Sequence, residues 1–127
     1  MAANVSNYLA GSWLNLLRGT AFTAPSAVYV QLHTGAPGAA GTANVSSVTT
    51  RPAATFSAAS SGVLSLSNTP TWSSWGGSAE TLTGISFWDS ASSGNFLWSA
   101  SFASGVAMVS GATLTLTSSS LTLTLAS

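Results

Sequence analysis

The sequence predicts an all-β fold, an antiparallel β-sandwich or jelly roll preceded by a short amphipathic helix, and three observations carry that expectation. Apolar and polar residues alternate with a period of two in several short runs. Clusters of Gly, Pro, Ser and Asn punctuate those runs at the intervals of a sandwich or barrel, for about eight strands by spacing. A helical period occurs in one segment, at the start.

That segment is residues 4–18, where Val5, Leu9, Trp13, Leu16 and Leu17 share one side of a helical wheel. Asn4 or Ser6 can cap it, and Gly19 is placed to end it beside Arg18, a cation at the negative end of the helix dipole. Its apolar stripe needs a partner surface, so residues 1–19 are expected to be a tether and residues 20–127 a single β-sandwich domain.

Residues 27–34 change to period two, with Val28, Val30 and Leu32 on one face and Tyr29, Gln31 and His33 on the other, a half-buried strand. The following run from Gly35 to Gly41 contains Pro37 and Gly38 and reads as an exposed loop. Further strands are expected at 53–58 around Phe56, at 62–67 with Leu64 and Leu66, and at 81–88 with Thr83, Ile85 and Phe87 on one face. Residues 95–102 set Phe96, Trp98, Ala100 and Phe102 against Leu97, Ser99 and Ser101, after a turn at Ser92-Ser93-Gly94 that Asp89 helps form. Last come Leu114 and Leu116, then Leu121, Leu123 and Leu125, alternating with β-branched threonines on either side of Ser118 to Ser120. This reads as a hairpin with one dry face that packs in the core.

With 127 residues the chain has one domain's worth of protein, and 3% of it is charged: Arg18, Arg51, Glu80 and Asp89. The surface must then be wetted by hydroxyls and backbone. Five Trp and five Phe argue against disorder and for a packed core. Near-zero net charge leaves little repulsion between copies, which suits a subunit of an assembly. The chain has no cysteine, so disulfides and thiolate metal sites are excluded. No apolar run spans a bilayer and the start lacks a cationic signal region, so a soluble, unprocessed protein is expected with no membrane partner. Both Asn-Val-Ser triplets, at 4–6 and 44–46, match a glycosylation pattern that is common by chance in so Ser-rich a chain.

Catalytic, cofactor and metal chemistry are expected to be absent. His33 is the only neutral-pH base, and no serine sits in a nucleophile-elbow context, so His33 reads as a strand-end residue bonding the next loop. Glu80 and Asp89 would lie at opposite ends of one strand, which does not suit glycoside hydrolysis. One histidine and two carboxylates cannot close a metal shell. Two arginines cannot neutralise enough phosphates to bind nucleic acid. Trp88 and Trp98 read as core. Trp72 and Trp75, in a loop-like stretch with Pro70, Gly76 and Gly77, read as a subunit contact ahead of a sugar-stacking site. Together with Trp13, Leu16 and Leu17 they are the candidate interface.

The segment Tyr29-Val30-Gln31-Leu32-His33-Thr34-Gly35, followed by Pro37-Gly38 and Gly41-Thr42-Ala43-Asn44, resembles a family of short bacteriophage virion structural proteins of the tail-fibre, minor tail or decoration type. The resemblance extends to Ser6-Asn7-Tyr8-Leu9, Thr55-Phe56-Ser57-Ala58-Ala59-Ser60, Gly84-Ile85-Ser86-Phe87-Trp88-Asp89, Gly94-Asn95-Phe96-Leu97 and Ser110-Gly111-Ala112-Thr113-Leu114. Members usually carry acids where this chain has Ala36, Ala39 and Ala40, and a Tyr-Ala-Arg-Gln segment where it has Thr50-Arg51-Pro52-Ala53. That departure removes the charge with which such a loop would hold an ion. The resemblance implies a virion protein without catalysis, made in host cytoplasm and placed in many copies on the particle exterior, as a head decoration or fibre subunit. Its expected partners are further copies of itself, as a ring or trimer, and capsid or tail proteins. The alternative is a tail-fibre or minor tail protein that binds a receptor glycan.

Overall fold

The computed structural model describes residues 3–123 and residue 126, and within them the chain is all-β with one short N-terminal helix. The principal sheet has five antiparallel strands in the order β1 (Ala3–Val5), β7 (Phe96–Met108), β6 (Glu80–Trp88), β2 (Val28–His33) and β3 (Ala53–Ala54). Two ribbons complete the fold, β4 (Val63–Ser65) with β9 (Ser120–Thr122), and β5 (Thr71–Trp72) with β8 (Leu114–Thr115). Phe56, bridged to Leu66 beside β4, packs on Phe87 and Trp98 at ring distances of 6.0 and 5.5 Å, so the ribbons and the sheet share one core.

The helix α1 (Asn7–Leu16) is shorter than its sequence pattern at both ends. Ser6 is the N-cap: its backbone is extended and its hydroxyl accepts the Leu9 N–H at 3.0 Å. An extended cap leaves the preceding residues extended too, and β-branched Val5 pairs with Trp98 in β1 where the periodicity had put it on a helix. Residues 3–5, expected in a tether ahead of the domain, are thus an edge strand of its sheet. At the other end Gly19, at φ +86°, and Thr20 turn back to donate to the carbonyls of Leu16 and Asn15, the Schellman pattern expected of that glycine.

Strand β2 was expected to be half-buried, yet Gln31 and His33 are as buried as Val30 and Leu32. It lies between β6 and β3 in the sheet, and the long connection through residues 34–52 folds over its polar face. Irregularities in the β6–β7 register overturn two other facing assignments. One between Leu82 and Gly84 resets the alternation, so Leu82 is buried and Thr83 exposed. Another at Phe87 and Trp88 pairs Trp88 with Phe96, which moves Phe96 off the face of Trp98 and Ala100. The turn between the strands forms as expected, with Ser93 and Gly94 at positive φ and the Asp89 carboxylate accepting from the Asn95 backbone at 2.7 Å and side chain at 2.8 Å.

The Leu/Thr-rich end is not a hairpin. Its two strands pair separately, β8 with β5 and β9 with β4, so each edge finds an earlier segment of chain in place of its neighbour. Leu116 and Leu121 are buried as the dry face requires, whereas Leu123 is 51% exposed, and Leu125 lies outside the described residues.

Candidate functional site

Among the apolar recesses of the described surface, one lies beside bare leucines at the end of α1. On its inner side Leu9 is buried and Trp13, one turn later, is half-buried against the core cluster. Leu16, the last residue of the helix, and Leu17, its C-cap, were expected on that same stripe, and they stand 49% and 86% exposed. Leu14 adds a third bare leucine at 67%. Between Trp13 and the β4–β9 ribbon runs an apolar groove of about 200 Å3, lined by Trp13, Ala59, Gly62, Leu64, Leu121 and Leu123. Sequence reasoning found Trp13, Leu16 and Leu17 but missed Leu14, which falls off the stripe, and Leu64, Leu121 and Leu123, whose meeting depends on the β4–β9 pairing.

Trp72 and Trp75 are corrected from interface to core. They are 4% and 2% exposed, and their indole N–H groups donate to the carbonyls of Thr50 and Ser78, each at 3.0 Å. Pro70 and the glycine pair signal a loop correctly. The loop is laid against the body by β5–β8 pairing and by backbone bonds of Trp75 with Ala112 and Gly111. Both rings are core side chains, and Trp72 also floors a recess that it shares with Phe102, Val106 and Leu114.

The titratable groups serve the fold. His33 is fully buried, with Nδ1 2.8 Å from the Ala43 carbonyl and Nε2 2.7 Å from the Ser86 hydroxyl, which also accepts the Trp88 indole N–H at 2.7 Å. A carbonyl can only accept, so Nδ1 carries the proton and Nε2 takes that of Ser86 in a neutral imidazole. Burial pushes the His33 pKa below its ordinary value, opposed by the Ala43 carbonyl and helped by the Arg51 charge. Arg51 lies 4.3 Å over the Trp88 ring and donates to Gln31, Ser90 and Ser93, fixing the 89–94 turn to the sheet, and its own partial burial lowers its pKa. The Glu80 carboxylate accepts from the Ser46 hydroxyl and the Ser47 N–H. It begins β6, and Asp89 follows the end of that strand, so roughly 25 Å of extended backbone separates the two carboxylates, against under about 10 Å for a glycosidase pair. Among the described residues no group of three or more His, Cys, Asp or Glu is placed to hold a metal ion.

Fold and surface define a class: a neutral, β-rich domain with three of its four charged side chains bonded within the chain and with bare apolar side chains at the end of its helix. Residues 4–124 match the family model described as Podophage GP4 fiber I protein gp80, and the chain belongs to that family. It is therefore a bacteriophage fibre protein, a structural component of the virion, as the Leu-His-Thr-Gly resemblance implied. No curated protein matches the chain to add a second comparison.

Proposed function

We propose that this fibre protein is a non-catalytic subunit, used in many copies on the outside of the particle, that joins a second copy of itself through the end of α1 and the groove beside it. The observation that carries the reading is the trio Leu14, Leu16 and Leu17 next to an apolar groove. Burying a leucine gains about 1.5–3 kcal/mol, so covering these side chains supplies several kcal/mol towards association. Three of the four charges are tied to internal loops, which leaves little to repel a like surface. The family favours a fibre over a head decoration; a trimer and a contact to capsid or tail proteins are compatible with the same face.

The test is sizing by light scattering of the wild type and of Leu14→Ser/Leu17→Ser. The wild type is expected to be an oligomer that persists in molar salt, since it has almost no charge pairs for salt to screen. The variant, which alters only exposed positions, should be a monomer with an unchanged circular dichroism spectrum. A monomeric wild type at tens of micromolar, or an oligomer the double substitution leaves intact, would overturn this reading.

A further inference from the structure

The sheet and the ribbon layer above it end on one side in strand edges without a neighbour. In the sheet, β1 pairs with β7 only as far as Ala100, and from Phe102 to Met108 the outer edge of β7 meets no strand among the described residues. In the ribbon layer, β8 pairs with β5 alone. Ala112 accepts from Trp75, Leu114 faces Trp72 and Leu116 donates to Pro70, so the backbone of these three turns inwards and that of Thr113, Thr115 and Thr117 turns outwards. Both edges border the same recess of about 230 Å3, lined by Phe102 and Val106 of β7 and by Trp72, Leu114 and Leu116 of the ribbon.

The far edge of the sheet is treated differently. There the Asn68 carboxamide accepts the Thr55 N–H at 2.9 Å and donates to the Ala53 carbonyl at 3.0 Å, so a side chain stands in for the next strand beside β3. Charged side chains and proline are the common means of keeping a bare edge from pairing, and from Ser90 onward the sequence holds neither. The one guard on the open side is the irregularity opposite Thr83, which leaves Val106 to Met108 as the regular stretch of the β7 edge.

We propose that a second copy of the chain closes this open side about a two-fold axis, pairing β8 with β8 and setting β7 beside β7, so that both layers run on across the contact. An inserted peptide would satisfy one edge only. Edges in two layers about 10 Å apart call for two strands at that spacing, which a second copy presents. The outward positions 113, 115 and 117 are symmetric about Thr115, so antiparallel pairing lays Thr115 against its own counterpart. Exposed side chains along the edges are small or hydroxylic, as at Ala103, Ser104, Ala107 and Thr115, and carry no charge to repel a like surface. Half-buried Phe102, Val106 and Leu114 are then covered. This contact uses none of the α1 residues. One two-fold contact stops at a dimer, whereas contacts on two separate faces string copies into an open row. With short edges and a small recess it is the weaker of the two, expected to form near about 1 mM and not at tens of micromolar.

Light scattering of Leu14→Ser/Leu17→Ser, which lacks the α1 contact, reads this contact alone. That variant should be monomeric at tens of micromolar and dimeric towards about 1 mM, and over this range the nitrogen-15 NMR signals of the Thr115 and Thr117 amides should move. Adding Thr115→Lys, at an exposed position, sets two cations face to face and should raise the dimerisation midpoint roughly three- to five-fold in low salt. Molar salt should reverse most of that shift, which loss of fold would not allow, and Thr115→Val in its place should leave the midpoint unchanged. The proposal is overturned if the leucine variant stays monomeric at 1 mM, or if Thr115→Lys dimerises as readily as its parent in low salt. Should the leucine substitutions leave the wild-type oligomer intact, the α1 reading fails by itself. Thr115→Lys in the wild-type chain then decides the edge contact by whether a salt-reversible loss of size appears.

Discussion

The middle of the five-stranded sheet is buried on both faces, but the two faces are held by different physics. On one, Val30, Leu32, Ile85, Phe87, Trp98 and Ala100 pack against the ribbons, with Phe87 and Trp98 stacked at 4.2 Å and 15°. On the other, Gln31, His33, Ser86 and Trp88 lie under residues 34–52 in a chain of hydrogen bonds ending at Arg51. The first face tolerates any shape-preserving apolar exchange, because its attraction has no direction. The second is worth little net when complete and costs much when one member is lost, because each atom's partner is specified. A protein with almost no charge can thus bury much of a polar sheet face by matching its donors to acceptors.

The largest expected effect is on the apolar face. Phe87→Ala removes a fully buried ring from its stack with Trp98 and its contact with Phe56. It should cost about 3–5 kcal/mol, a large part of a domain's stability. Urea denaturation followed by tryptophan fluorescence measures this. A loss smaller than that caused by breaking the polar face would reverse the ranking of the two.

The polar face is sharpened by comparing two of its serines. Ser86→Ala keeps the side-chain volume nearly constant but leaves the Trp88 indole N–H and the His33 Nε2 without partners, at about 2 kcal/mol or more. Ser99→Ala, on the same face and almost as buried, deletes a hydroxyl that has no internal partner and should be neutral or slightly stabilising. Equal denaturation midpoints for the two variants would show that the hydrogen-bond chain contributes nothing.

The elements themselves were legible because period-two alternation is a property of the chain alone: β2, the β6–β7 turn with Asp89, and the burial of Trp88 and Trp98 all read directly from sequence. What alternation cannot carry is the partner of a strand. Leu121 pairs with Leu64 across 57 positions, and nothing local distinguishes that from a hairpin with Leu116. Facing failed where a bulge reset the phase, at Thr83 and at Phe96, since a bulge adds a residue without leaving a composition signal here. The interface residues divided along the same line. Leu16 and Leu17 were found because a helix shows its own surplus apolar side, whereas Trp72 and Trp75 were misplaced because turn-forming residues reveal a loop and not what covers it.

The smallest effect separates the two faces by pH. Neutral His33 donates from Nδ1 and accepts at Nε2, so a second proton would set Nε2–H against the Ser86 hydroxyl proton and place a cation in a buried site near Arg51. The folded-state pKa is therefore below the ordinary 6.5, and the unfolded chain binds this proton at a higher pH than the native one does. Stability should then be full above pH 6.5 and fall as the pH drops from there towards the folded-state pKa, by at most about 1.4 kcal/mol per pH unit for one proton. His33 is the only histidine, so replacing it removes the imidazole titration from the chain altogether. Urea midpoints at pH 7 and pH 5.5 should differ in the wild type and in Phe87→Ala alike, because the apolar face holds no titratable group. In His33→Gln, whose amide can donate to Ala43 and accept from Ser86 without titrating, the difference should vanish. A pH-independent wild type would mean that the imidazole is protonated without penalty and that the proton assignment along His33, Ser86 and Trp88 is wrong.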